Sequence, residues 1–241
     1  NYSPIHHEVV KLSLLDTYID HIVKVFPDLL LGSMVTIEVT SLGVFFGLIL
    51  GTISGLGKLS RKKIFRYPSI AYVDFIRGTP LLVQILLFYY GIPGLFSNVT
   101  GRPLSIDPIL AGVIVCSINS GAYIAEIVRA GIQSIDKGQM EAARSLGMTE
   151  TIAMKEIILP QAFRRIIPHL GNEFIALLKD SSLLAVIGVH ELLKNGQLYI
   201  SRTFASFPVY IAVALMYLVM TIVISRLVAY SERRLGVSDR D

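Results

Sequence analysis

Five long runs of mostly apolar residues limit what this sequence can fold into. They cover approximately residues 29–56, 68–92, 109–132, 170–189 and 208–230. A helix needs about 20 apolar residues to cross the hydrocarbon core of a bilayer, because each residue advances it by about 1.5 Å. Only 17% of the residues are charged, against about 25% in a soluble domain. We therefore predict an all-α membrane protein with about five transmembrane helices.

The distribution of Lys and Arg predicts how these helices are oriented. Thirteen basic residues lie in the connection after the first run, the connection after the third run and the C-terminal tail, against five in the other non-membrane segments. Cytoplasmic segments carry the excess of basic residues in membrane proteins. This predicts an N-terminus outside the cell and a C-terminus in the cytoplasm. The net charge of +4 then belongs to membrane-flanking loops and does not indicate a nucleic-acid partner.

We predict that residues 1–27 form an extracytoplasmic N-terminal segment ahead of a transmembrane domain at 28–241. Apolar residues recur in this segment at helical spacing, namely Leu14, Leu15, Tyr18, Ile19, Ile22 and Val23. An amphipathic helix on the outer membrane surface and a partly ordered tail are both compatible with this pattern.

The connection between the third and fourth runs, from about Gln133 to Pro168, predicts a compact cytoplasmic protrusion. Good helix formers precede Gly147, which is placed as a helix C-terminal glycine would be. A second helical stretch, Thr149 to Ile158, is expected to end at Pro160. Within this loop seven residues stand at fixed spacing: Glu141, Ala142, Ala143, Gly147, Ile157, Leu159 and Pro160.

These seven residues resemble the EAA loop of the permease subunits of ABC importers. In that family the loop, at about 137–160 here, docks in a cleft of the ATP-binding subunit. We expect small residues at 142 and 143 to let the partner approach closely, and Glu141 to face a basic group on it. Further stretches, 75–84, 118–131 and 171–174 followed by 178–181, look like polar amino acid permeases of the histidine, arginine, glutamine and cystine type.

The resemblance implies a type I ABC importer permease fold in a multi-pass protein of the bacterial cytoplasmic (inner) membrane. The implied partners are an ATP-binding cassette subunit dimer, a second permease subunit that is identical or homologous, and an extracytoplasmic amino-acid-binding protein. ATP and Mg would be bound by the partner ATPase, and no cofactor is expected in this chain. The implied function is import of polar amino acids by alternating access.

Ionisable residues within the apolar runs are candidates for substrate binding, because each costs about 2.5–3.5 kcal/mol at membrane depth. A zwitterionic amino acid needs a cation for its carboxylate and an anion or acceptors for its ammonium group. We predict a substrate site from Asn119, Tyr123, Glu173 and Lys179, with Thr79, Arg77 and Asp180 as second choices.

Structural roles for some of these residues remain open from the sequence. Arg77 could instead pair with Asp74 three residues earlier on the same helix face. Asn119 and Tyr123 could belong to a hydrogen-bonded seam between helices. Glu126 and Arg129 are expected to form a structural ion pair. Helix breaks are expected at Pro80, which lacks a backbone donor, and in the run that follows Asp180.

The sequence contains no motif that would make this chain an enzyme. Near Gly51 to Lys58 a phosphate-binding loop would need glycine where Thr52 stands and Ser or Thr where Leu59 stands. No metal site is expected either. The alternative function is an ion-coupled secondary amino acid transporter, in which buried Glu and Lys would be the coupling sites. Such proteins usually contain internal repeats, and none is evident here.

Overall fold

The computed structural model describes the backbone from Pro4 to Arg234 and the side chains of residues 15–234, and every regular element in that part is helical. Ten α-helices follow one another: α1 Pro4–Leu59, α2 Lys63–Arg77, α3 Leu81–Leu86, α4 Ile92–Thr100, α5 Pro108–Gln133, α6 Lys137–Ser145, α7 Glu150–Ala153, α8 Leu159–Asp180, α9 Leu192–Thr203 and α10 Ser206–Arg234. Two π-helical turns and one 3₁₀ segment join some of them: Leu87–Gly91, Met154–Ile158 and Ser181–Ile187.

Four of the described helical stretches are long and apolar enough to cross a membrane. They are Leu15–Leu59, Leu81–Thr100, Pro108–Gln133 and Ser206–Arg234. The second predicted run, 68–92, is displaced because the helix breaks inside it and the apolar stretch continues to Thr100. The fourth predicted run, 170–189, lies in α8 and the 3₁₀ segment. The helix α8 is too polar, and the 3₁₀ segment is too short, to be counted as a membrane-spanning helix.

The N-terminal segment continues into the first transmembrane helix. From residue 15 onward its inner face packs on α9 and α10, where Val25 and Leu29 are fully buried against Leu192 and Val209. The His21 ring nitrogen Nδ1 lies 3.1 Å from the Tyr199 hydroxyl. From residue 15 onward the segment is therefore a helix packed against the protein. Residues 1–3 and the predicted apolar contact of Leu14 lie outside the described residues and side chains.

A stripe of glycines holds α1 against α5. Gly43, Gly47, Gly51 and Gly55 recur every four residues, so they lie on one face of α1. A Cβ atom added at Gly51 would stand 2.7 Å from the Gly121 carbonyl oxygen. Contacts this close between backbones are typical of helix pairs in membranes, where small residues let helices approach. The two helices run parallel, because later residues of α1 meet later residues of α5.

A buried carboxylate joins the C-terminal helices to α1. Glu191 caps α9, accepting hydrogen bonds from the backbone N–H groups of Leu193 (2.9 Å) and Lys194 (2.6 Å). The Tyr217 hydroxyl on α10 donates to the same carboxylate at 2.8 Å. The Leu192 N–H donates to Thr36 Oγ1 of α1 at 3.2 Å. The three hydrogen bonds from Leu193, Lys194 and Tyr217 satisfy this fully buried carboxylate, which would otherwise be costly to bury.

Candidate functional site

Two broken helices meet α5 in the middle of the bundle. The helix α2 ends at Arg77, and α3 begins after Pro80. The helix α8 ends at Asp180, where the 3₁₀ segment begins. The breaks predicted at Pro80 and after Asp180 are both confirmed. Irregular backbone at membrane depth is tolerated only where protein buries it or where it borders a cavity.

A cavity of about 470 Å³ lies between the two breaks and α5. It is lined by Arg77, Gly78, Thr79, Pro80, Leu81, Asn119, Tyr123, Asp180 and Leu183. Five of the seven residues predicted as a substrate site are in this lining: Arg77, Thr79, Asn119, Tyr123 and Asp180. The structure therefore brings together side chains from three parts of the chain, of which the outermost, Arg77 and Asp180, lie more than 100 residues apart.

The Arg77 guanidinium is available inside this cavity. Its Cζ atom lies 5.2 Å from the centre of the Tyr123 ring, which is a cation–π contact. The alternative partner Asp74 instead lies 3.6 Å from Lys58 Nζ, so the Arg77–Asp74 pair is not formed. Arg77 has no salt bridge in the described part of the chain. A planar guanidinium that forms no salt bridge suits bidentate binding of a carboxylate.

Glu173 and Lys179 occupy positions next to the cavity and are not in its lining. Lys179 is exposed on the surface of the single chain, beside Asp180 at the end of α8. The Glu173 carboxyl group is close enough to Ser120, Asp180 and Arg77 to interact electrostatically with them. The Ser120 hydroxyl is buried and faces this carboxyl group. Glu173 lies seven residues, about two helical turns, before Asp180 on α8, and it connects this side of the cavity to α5.

One polar residue of this region escaped the sequence-based site prediction. Gln84 lies one turn beyond the break, and its side-chain oxygen accepts a hydrogen bond of 3.0 Å from Asn119 Nδ2. Gln84 carries no charge, and the predicted site was built around charged residues within the apolar runs. The available signal was its place at the end of the 75–84 stretch, four residues after a proline inside an apolar run.

An ion-pair cluster closes the end of the bundle at which α1 and α5 end. Glu126 contacts Arg129 at 2.7 Å and Lys58 at 2.5 Å. The structural pair predicted for Glu126 and Arg129 is confirmed, and Lys58 extends it to the end of α1. At the same end, Arg61 Nη2 lies 3.1 Å from the Glu150 carboxylate of α7. The connection after α1 and the protrusion after α5 therefore share one side of the molecule.

The protrusion itself is a helical hairpin formed by α6 and α7, called the coupling hairpin below (Lys137–Ala153). Gly147 turns the chain with φ of 85°, a conformation that favours glycine. Leu146 beside it is 84% exposed, and Glu141 and Ala142 are exposed as well. Ala143 is buried. Its small side chain packs inside the hairpin, whereas the small side chain of Ala142 lies on the exposed surface.

The remaining residues of the seven-residue pattern anchor the hairpin to the bundle. Ile157 and Leu159 pack against a core cluster that includes buried Ile158 and Ile166. The expected helix end at Pro160 is wrong. Pro160 lies in the first turn of α8, where its missing N–H is tolerated, and the π-helical turn Met154–Ile158 leads into it. The hairpin is thus connected directly to α8, whose other end borders the cavity.

The sequence matches a known family over most of its length. Residues 43–237 match the profile described as "Binding-protein-dependent transport system inner membrane component". The chain is 39% identical over 211 residues to the glutamine transport system permease protein GlnP of Escherichia coli (strain K12), covering 88% of this chain and 94% of that protein. It is 45% identical over 190 residues to the probable glutamine ABC transporter permease protein GlnM of Bacillus subtilis (strain 168), covering 79% and 85%.

Solved structures show the same fold. A crystal structure of an amino acid ABC transporter with histidines contains a chain that is 44% identical, with a TM-score of 0.82, and the match covers 88% of this chain and 96% of that one. A chain of the MetNI methionine ABC transporter in an inward-facing conformation superimposes with a TM-score of 0.70 at 19% identity, with 86% and 96% covered. The second likeness concerns the fold alone.

Proposed function

This chain belongs to the family of inner-membrane components of binding-protein-dependent transport systems, the permease subunits of ABC importers, and from this we propose that it imports polar amino acids by ATP-driven alternating access. A single observation carries the proposal, namely the position of helix α8. This helix joins the coupling hairpin at one end to the cavity at Asp180 at the other. Movement of the hairpin would therefore reach the cavity through one continuous helix.

The cavity supplies groups of the kind that a zwitterionic amino acid requires. Arg77 offers a guanidinium that has no salt bridge among the described residues. Asp180 offers a carboxylate, and Asn119, Thr79 and Tyr123 offer polar groups on the facing walls. We assign Glu173 and Lys179 to the border of the same site. The names of the similar proteins mention glutamine and histidines, so these two amino acids are the first substrates to test.

The coupling hairpin is the surface at which we place the ATP-binding cassette subunits. Exposed Leu146 gives an apolar tip, and Glu141 gives a carboxylate on the same protrusion. Contact with the ATPase at this tip, and closure of the two ATPase subunits around ATP and Mg, would move α8. Ligands that bind the inward-facing and outward-facing states with different affinity would then shift the population between them.

We place the coupling hairpin in the cytoplasm and the N-terminus outside, in the bacterial inner membrane. The basic residues that flank the hairpin side, including the Arg61 that contacts Glu150, supply the positive-inside signal. A second permease subunit, identical or homologous, would complete the pathway, and a binding protein would deliver the amino acid on the outer side.

Proteoliposomes test this function against the alternative of an ion-coupled transporter. The chain is purified with its co-expressed ATPase and reconstituted, and uptake of labelled L-glutamine and L-histidine is measured with a candidate binding protein. For complexes whose coupling hairpin faces the vesicle interior, we expect uptake to require ATP inside the vesicle. Collapse of ion gradients should leave the uptake unchanged. Uptake driven by an ion gradient without ATP would overturn the proposal.

A further inference from the structure

Gln84 repairs the broken helix beside the cavity. In an uninterrupted α-helix the N–H of residue 80 would donate to the carbonyl of Ile76. Pro80 has no N–H. The Gln84 side-chain nitrogen Nε2 occupies that role, lying 2.8 Å from the Ile76 carbonyl oxygen. One side chain thus replaces the hydrogen bond that the proline removes.

The same nitrogen also fixes the residue between the two helices. Nε2 lies 3.0 Å from the Thr79 carbonyl oxygen and 2.9 Å from Thr79 Oγ1. A carboxamide nitrogen has two hydrogens, so these three acceptors occupy both. The orientation of the Gln84 amide is therefore determined, because turning it over would place its oxygen against three other oxygens.

That orientation determines the orientation of Asn119 in turn. The Gln84 oxygen Oε1 can only accept, and it receives the hydrogen bond from Asn119 Nδ2 at 3.0 Å. The Asn119 amide nitrogen is therefore turned toward Gln84, and its oxygen Oδ1 is the atom left for the cavity that Asn119 lines. Among the described residues, Oδ1 accepts no hydrogen bond.

We propose that Gln84 is a positioning residue that sets the polarity of the site: it holds Asn119 so that a hydrogen-bond acceptor, and not a donor, faces the substrate. The α5 wall then receives an N–H donor of the amino acid, an ammonium or a side-chain amide, imidazole or guanidinium group. Asp180 adds a second acceptor on the neighbouring wall. Arg77 remains for the carboxylate. This inference rests on the proposed function of the cavity as the substrate site.

Uptake kinetics of four variants test the proposal in reconstituted complexes, with L-glutamine and L-histidine as probes. Gln84→Met and Asn119→Leu should each raise the KM for uptake by about tenfold, the loss expected for one buried hydrogen-bonded contact. The KM of the double variant should be about the same as that of either single variant, because both substitutions act through one hydrogen-bond chain. Asn195→Ala is the matched control, since its amide also donates across helices, to the Asp28 carbonyl oxygen, far from the cavity.

The outcomes separate this inference from the function on which it rests. An unchanged KM in Gln84→Met, together with a raised KM in Arg77→Gln, would overturn the role of Gln84 while leaving the cavity as the substrate site. An unchanged KM in both Gln84→Met and Arg77→Gln would overturn the role of Gln84 and also the assignment of the cavity as the substrate site. A KM of the double variant that rises by the product of the two single effects would also contradict a shared hydrogen-bond chain through Gln84 and Asn119.

A second substitution protects the test against failed assembly. Gln84→Asn keeps the amide but shortens the side chain by one methylene, so it cannot contact both Ile76 and Asn119. It should also raise the KM about tenfold, and co-purification with the ATPase subunit shows that the complex still assembles. A fall in the maximal rate with an unchanged KM would instead indicate a purely structural residue.

Discussion

Gly51 on α1 lies so close to Gly121 on α5 that a methyl group at residue 51 would stand 2.7 Å from the Gly121 carbonyl oxygen. The obstacle is backbone and cannot rotate away. The α1–α5 pair is the frame on which the cavity is built, because α5 carries Asn119 and Tyr123. The packing of two glycines therefore supports the geometry of a site that neither of them lines.

Gly51→Ala should destabilise the complex by about 1–3 kcal/mol, the usual effect of overpacking. Thermal unfolding of the detergent-purified complex measures it. Gly94→Ala is the control, because a Cβ at Gly94 has no neighbouring atom within 4 Å among the described residues. Equal melting temperatures for the two variants would contradict the close α1–α5 contact.

Arg77→Gln should raise the KM for amino acid uptake by tenfold or more, since about 1.5–3 kcal/mol is typical for a hydrogen bond to a charged group. Lys179→Ala should have a smaller effect, because Lys179 borders the cavity and does not line it. Uptake kinetics in proteoliposomes check both. A larger rise in KM for Lys179→Ala than for Arg77→Gln would indicate that the substrate carboxylate binds Lys179 on α8 and not Arg77 on α2.

Glu141→Lys should abolish stimulation of the ATPase by the binding protein while the spans stay folded, because a cation would replace the carboxylate on the exposed coupling hairpin. The basal ATPase rate and the elution profile of the complex report on assembly. Glu232→Lys, the same charge change near the end of α10, serves as the control. Normal stimulation in Glu141→Lys would exclude that carboxylate from the contact.

Tyr217→Phe should destabilise the protein, and the loss should grow as pH rises. Burial raises the pKa of Glu191 above its ordinary value, against the lowering effect of its hydrogen bonds. Stability linked to this carboxyl group is therefore present below the ordinary Glu pKa and is lost as pH rises through the raised value.

The Tyr217 hydroxyl donates to this carboxylate at 2.8 Å, and such a bond is stronger when the acceptor is ionised. Melting temperatures of wild type and variant at about pH 5 and about pH 8 should thus differ more at the higher pH. Tyr210→Phe, on the exposed side of the same helix, should show no such trend. A constant difference would contradict ionisation of Glu191 in this range.

Much of this architecture could be predicted from local chemistry. Pro80 cannot donate a hydrogen bond and Gly147 tolerates positive φ, so both breaks in regular helix were visible in the sequence. The displaced second span could not be placed by hydropathy alone, because the apolar run continues across the break at Pro80. The helix end predicted at Pro160 was wrong for a related reason, because a proline that breaks the interior of a helix is accommodated in its first turn.

The candidate site shows a similar division. Charged residues within apolar runs stand out in a sequence, so Arg77 and Asp180 were found. Gln84 acts only through partners at residues 76, 79 and 119, and such three-way contacts exist only after folding. The spacing of Gly43, Gly47, Gly51 and Gly55 was visible as a four-residue repeat, but the helix that it contacts was not.

We propose that the coupling hairpin contacts the ATPase in the cytoplasm, and cross-linking from Leu146 tests this contact most directly. Cys116 is the one cysteine of the chain, so a Cys116→Ala background carrying Leu146→Cys has a single reactive thiol. A short bifunctional thiol reagent should join it to a cysteine in the ATPase cleft, in a yield that changes when ATP is added. A thiol that reacts in intact cells with an impermeant reagent, and never joins to the ATPase, would contradict the account.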